Sequence, residues 1–214
     1  YVRNATRDFS RSFDDEESQL ALARAVQWPN AALGSLFKLP RELSPEMLRQ
    51  LQDVDRRLAE KNDESAKPLL VGIVAILARS GDPTSMEYLR EIWRRDPERR
   101  PSAAMGLAQQ PQGENWDYLV RSLPILEGAP AQEVLDRLLT VGEAPEDAEY
   151  YRQVIMRGLQ LKDQGGDKAV ALLNHWSEEN VSKPDDSWDV ALASWQKWFH
   201  KKYPNRPEAV LPKV

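Results

Sequence analysis

The chain has 214 residues, 41% of them hydrophobic and 29% charged, which is enough material for a substantial core in one elongated domain or two small ones. Thirty-four acids against 29 bases leave a formal net charge of -5, and that balance argues against a dedicated nucleic-acid binder. The absence of cysteine excludes disulfides, thiol catalysis and thiolate metal sites, and the longest apolar run, LLVGIVAILA at 69–78, is a buried-helix length rather than a bilayer span.

The N-terminal part offers the weakest pattern. YVRNATRDFS shows neither an initiator Met nor a signal-peptide pattern, so the chain reads as an excised or mature segment whose targeting is not encoded here. Asn4, Ala5 and Thr6 form a glycosylation sequon, a cheap match. The acidic run at 14–17 reads as a solvated first-turn face. From Ser44 the periodicity sharpens. A capping serine, Pro45 in the first turn and Glu46 open a helix, and Met47, Leu48, Leu51, Val54 and Leu58 form one apolar stripe along it. The following run is apolar nearly all round, with Leu69, Leu70, Ile73, Val74 and Leu77 on one side and Val71 and Ile76 on others. Such a helix is expected to be covered on both flanks.

Short breaks then recur at 80–84, 95–101, 110–115, 127–130, 142–147, 164–167 and 180–187, and six of the ten glycines sit in them. The runs between have ordinary helix lengths, and no strand-like alternation of useful length occurs. The predicted class is all-α. GDPTSMEYLREIW at 81–93, GENWDYLVRSL at 113–123 and GDKAVALLNHW at 166–176 echo one another, and Tyr88-Leu89 and Tyr118-Leu119 are 30 residues apart. That echo points to a HEAT/armadillo-like right-handed α-α superhelix of stacked helical hairpins. Residues 1–203 are read as a single helical repeat domain: less regular helices to 60, hairpins over 61–180, and a Trp-rich capping helix over 187–203. Residues 204–214 are read as a Pro-rich linker. In the capping helix Trp188, Leu192, Trp195 and Phe199 share one narrow face with Trp198 beside it. Ser187 is its expected cap, and His200, Lys201 and Lys202 complement the dipole at its C-terminus.

Motifs that carry chemistry are scarce. His175 and His200 are the only histidines, 25 residues apart, without the short spacing that puts two ligands on one helix face. Neither GxSxG, GxGxxG nor a phosphate-binding GxxxxGK[ST] occurs, so no catalytic, cofactor-binding or metal residue is assigned and the segment is read as non-enzymatic. The concentrated positive feature is REIWRRDPERRP, which brings Arg90, Arg94, Arg95, Arg99 and Arg100 around Trp93 with acids interleaved. A salt-bridge cluster, internal or facing a partner, is the leading reading; a phosphate-binding patch is the alternative. Trp93, Arg94, Arg95, Arg99 and Arg100 at one turn, and Trp116 and Tyr118 at another, are the candidate partner contacts.

The ending WQKWFHKKYPNRPEAVLP resembles the segment that precedes the haem domain in the large multidomain haem-binding proteins of planctomycete-type bacteria. Trp195, Trp198, Phe199, Tyr203, Pro204, Pro207, Leu211 and Pro212 carry the likeness, with further likenesses at 98–124 and 144–161. In that family a propeller-like region is followed by HEAT-type helices and then a c-type cytochrome domain with CxxCH. The resemblance implies that this segment is the helical spacer of an exported, periplasmic redox protein. Its partners would be proteins or neighbouring domains of its own chain, and haem would lie only in a downstream domain. The chain departs from the family in having no Cys, so it cannot itself attach haem covalently.

Overall fold

The computed structural model describes residues 42–61, 64–142, 144–177 and 179–211. The sequon at Asn4, the acidic run at 14–17 and the helices expected before residue 42 lie outside them. Among the described residues there are nine α-helices and no strand: α1 (Pro45–Lys61), α2 (Lys67–Ser80), α3 (Pro83–Arg95), α4 (Arg100–Leu107), α5 (Glu114–Ser122), α6 (Gly128–Leu138), α7 (Ala148–Leu161), α8 (Gly166–Trp176) and α9 (Trp188–Lys202). They fall into two compact units, one ending at Gln109 and the other beginning at Gln110. The all-α class is as expected from the periodicity.

In the first unit, Ser44 caps α1 as its sequence suggests, its hydroxyl accepting from the Met47 N–H at 3.2 Å. The apolar stripe of α1 turns inward, with Leu48, Leu51, Val54 and Leu58 buried. Helix α2 packs against α1, α3 and α4, so it is the central helix of this unit. Leu69, Leu70, Ile73, Val74, Ile76 and Leu77 are buried on it, while Val71 stays 54% exposed. The cover expected on its flanks comes from α1, α3 and α4, and the Val71 side stays open. Gly81 ends α2 in the left-handed conformation with φ 65°, where a side chain would be strained, and Asp82 immediately caps α3 by accepting from the Thr84 N–H at 2.8 Å.

In the second unit, α7 and α8 pair closely and α9 packs across both. The contact is close because α7 presents Gly158 there: a Cβ at that position would lie 2.7 Å from the Cβ of Ala169 and 2.9 Å from Cδ1 of Leu192. Leu192, Trp195 and Phe199 of α9 are fully buried, and Trp188 is half-buried with its ring against Gly166. Ser187 occupies the N-cap position of α9 but does not cap it; its hydroxyl donates to Asp189 instead, at 2.5 Å. Beyond α9 the chain turns back onto the helices. Ala209 is buried, its carbonyl accepts from Gln196 Nε2 at 2.7 Å, and Arg152 Nε donates to the Glu208 carbonyl at 3.3 Å. The segment read as a linker is thus held to α7 and α9 as far as Ala209, by hydrogen bonds to the carbonyls of Glu208 and Ala209.

Replacing Gly158 by Ala tests the α7 contact. In an exposed helix this change stabilises by about 0.5–1 kcal/mol. Here the new methyl group meets Ala169 and Leu192, and overpacking predicts a net loss of about 1–3 kcal/mol in chemical denaturation.

Candidate functional site

Helix α1 carries one charge on its apolar face. Asp55 lies between Leu51 and Leu58 at helical spacing and is completely buried. An isolated carboxylate there would cost several kcal/mol, so its partners decide whether this face can be buried. Three side chains supply them. Tyr88, on α3, places its hydroxyl 2.9 Å from Asp55 Oδ2 and 3.1 Å from the Gln52 carbonyl. Arg95, at the end of α3, donates through Nη2 to Asp55 Oδ2 at 3.1 Å and to the Tyr88 hydroxyl at 3.0 Å. Arg99, in the short 3-10 turn Pro97–Arg99, completes a bidentate pair: Nη1 to Oδ2 at 3.0 Å and Nη2 to Oδ1 at 2.5 Å. Asp96 caps that turn by accepting from the Arg99 N–H at 3.3 Å, which fixes where the arginine starts.

The same contacts act on Tyr88. Burial, and then the negative charge of Asp55, push its phenol well above the ordinary value of 10.0. Arg56 and Arg95 flank its ring, with guanidinium carbons 5.1 and 5.4 Å from the centroid.

The rest of the arginine cluster is also engaged within the chain. Arg90 and Arg94 both reach Glu87, Arg90 Nη2 at 2.5 Å and Arg94 Nη2 at 3.0 Å. Arg95 Nη1 donates to Glu91 at 3.0 Å. Arg100 donates through Nε to the Trp93 carbonyl at 2.9 Å and lies over the Trp93 ring at 4.8 Å. The structure therefore brings Trp93, Arg94, Arg95, Arg99 and Arg100 into one neighbourhood, as the spacing suggested, but points Arg99, the most buried of these arginines, and Arg95 at Asp55. An open groove of about 550 Å³ lies beside Arg99, walled by Leu58, Leu70, Val71, Pro97 and Ser102.

Trp116 and Tyr118 stand in the second unit and face different surroundings. The Trp116 ring packs against Tyr150 and Trp176, at centroid distances of 5.5 and 5.7 Å. Tyr118 is half-buried. The histidines serve local contacts: His175 Nε2 lies 2.9 Å from the Val141 carbonyl, and His200 Nδ1 lies 3.7 Å from Glu208. Among the described residues no three His, Asp or Glu side chains are grouped to hold a metal ion, and no helix is long and apolar enough to cross a membrane.

Asp55 and Tyr88 were not singled out from the sequence. The signal was present, since an Asp falls on the stripe defined by Leu51 and Leu58. A charge on an apolar face requires a buried counter-charge, but nothing in one sequence says which arginine supplies it. A search against protein families, curated proteins and solved structures finds no match for this chain.

Two outcomes follow from this geometry. Asp55→Ala leaves Arg99 and Arg95 without their buried counter-ion and is expected to cost about 3–5 kcal/mol in denaturant titrations. The raised pKa of Tyr88 makes stability alkali-sensitive: its contribution is fully present below pH 10.0 and falls as pH rises above that value, because the unfolded phenol ionises first. Tyr88→Phe should remove that component of the alkaline loss when unfolding free energy is measured against pH.

Proposed function

We propose that this chain is a non-catalytic helical scaffold and interaction module, the spacer that precedes a c-type cytochrome domain in an exported multidomain redox protein. In this reading the helices of each unit stack as hairpins in the HEAT/armadillo manner and continue a right-handed α-α superhelix. The module acts by rigidity: stacked hairpins transmit position, and their surface offers contact area to neighbouring domains or a protein partner.

The observation that supports the reading best is the use made of the arginines. Arg95 and Arg99 converge on one buried carboxylate and tie α3 and the turn after it to α1. Charged groups that could have served a reaction or a phosphate backbone serve helix packing instead. Trp93, Arg94 and Arg100 remain at the surface of the same turn and are the partner-facing residues of this proposal, with the groove beside Arg99 adding apolar area. Trp116 and Tyr118 are the corresponding residues in the second unit. The family resemblance of the Trp-rich ending supplies the redox context, and haem is assigned only to a domain beyond this segment.

The decisive test is to read the encoding gene beyond Val214. A CxxCH motif within the following domain is expected; a stop codon directly after Val214 would overturn the spacer reading. The nucleic-acid alternative is tested by titrating the protein with duplex DNA at low salt. Because Arg95 is already paired with Asp55 and Glu91, and Arg99 with Asp55, no binding that weakens steeply with salt is expected. Such binding, abolished by neutralising Arg94 and Arg100, would favour the alternative.

A further inference from the structure

The second unit contains an unbroken series of aromatic rings. From Trp198 on α9 it runs to Tyr151 at 5.3 Å between centroids, to Trp176 at 5.7 Å, to Trp116 at 5.7 Å and to Tyr150 at 5.5 Å. Packing alone accounts for rings in contact, since such pairs add about 0.5–1.5 kcal/mol each beyond the area they bury. It does not account for how their polar atoms are distributed along the series.

Trp198, which also meets Trp195 at 5.0 Å and Tyr203 at 5.9 Å, and Tyr150 each donate to a carboxylate. Trp198 Nε1 donates to Glu179 Oε2 at 2.6 Å, and the Tyr150 hydroxyl donates to Asp117 Oδ1. The three rings between them have no such acceptor. The Nε1 atoms of Trp176 and Trp116 are buried without a hydrogen-bond partner among the described residues, and the Tyr151 hydroxyl donates to the Trp176 backbone carbonyl at 3.1 Å. Oxidised indoles and phenols are strong acids, and a radical settles where its proton has somewhere to go. Here that is possible at the two ends and not in the middle.

We propose that this series is a one-electron relay connecting Trp198 with Tyr150, each end ring passing its proton to its own carboxylate as it is oxidised. An outer-sphere one-electron oxidant at the α9 surface takes an electron from the Trp198 indole. The Nε1 proton moves to Glu179, leaving a neutral indolyl radical and the reduced oxidant. An electron then passes from Tyr150 by way of Trp116, Trp176 and Tyr151 to that radical, which recovers its proton from Glu179. The Tyr150 phenol gives its proton to Asp117 and becomes a tyrosyl radical. The net change is one electron moved from Tyr150 to the oxidant.

Local charges set the direction. Lys202 Nζ lies 4.5 Å from the centre of the Trp198 ring, and a cation over the ring disfavours further positive charge on it. Hydrogen bonds from Lys202 and Trp198 hold the Glu179 carboxyl below its ordinary range, so it is ionised at neutral pH and only briefly accommodates a proton. At the far end Arg121 Nε lies 3.0 Å from Asp117 and supplies its counter-charge. Both effects at Trp198 favour passing the oxidising equivalent onward to Tyr150.

The relay stands or falls independently of whether a haem domain adjoins this chain. Its test exploits the absence of native cysteine: Lys201→Cys provides a unique attachment point on the exposed side of α9 for a ruthenium polypyridyl photo-oxidant. Flash-quench oxidation, read by transient absorption and electron paramagnetic resonance, is expected to give an indolyl signal followed by a tyrosyl signal. Tyr150→Phe should remove most of the tyrosyl yield, and Asp117→Asn should do the same with the ring still in place. Tyr203→Phe, which removes the tyrosine 5.9 Å from Trp198 on the other side, should leave the yield unchanged. Circular dichroism confirms that each variant is folded. A tyrosyl yield that survives Tyr150→Phe, or disappears with Tyr203→Phe, would overturn the relay.

Discussion

Asp55 sits completely buried on the apolar face of α1, and the arrangement of the first unit follows from what that charge requires. A carboxylate removed from water needs donors for both oxygens and a compensating positive charge. The chain supplies these from the end of α3 and the turn that follows it. Once Tyr88, Arg95 and Arg99 converge there, the angle between α1 and α3 and the position of the turn Pro97–Arg99 are no longer free. Helix α4 then begins directly at Arg100. A polar anchor of this kind contributes little net stability compared with an apolar one of equal size. It discriminates sharply, however, since any other packing of α1 strands the charge.

The second unit is organised by the opposite means. Its buried face is mostly apolar: aliphatic side chains and rings, with small residues that let backbones approach, Gly158 admitting α8 and α9 to α7 and Gly166 lying under the Trp188 ring. Large rigid rings lose little conformational entropy on burial and contribute large contact areas, so α9 can be held by few residues. The residues after α9 join this unit through Ala209 and through main-chain carbonyls accepting from Gln196 and Arg152. Proline-rich sequence therefore does not imply free chain here: backbone acceptors are enough to hold it where a neighbouring helix presents long donors.

Much of the helical framework was legible from residue spacing. The stripe of α1, the cap at Ser44, the glycine at the end of α2 and the single apolar face of α9 are all local properties. Each depends on residues within one or two turns, where periodicity and hydrogen-bonding capacity decide the outcome. Ser187 shows the limit of that logic, because Asp189, two residues on, competes for its hydroxyl. Val71 shows another: a helix apolar on several sides signals burial, but which side stays open depends on how many neighbours reach it.

What the sequence determined by itself is the helical class, the placement of the breaks, the apolar stripes of α1 and α9 and the clustering of arginines around Trp93. These follow from short-range sterics and from the period of apolar residues. Only the tertiary structure decided which charges meet and which rings touch. Asp55 and Arg99 are 44 residues apart, and Trp116 and Trp176 are 60 apart. Their pairing depends on how helices dock, and a buried charge or ring accepts whichever complementary group the docking brings within reach.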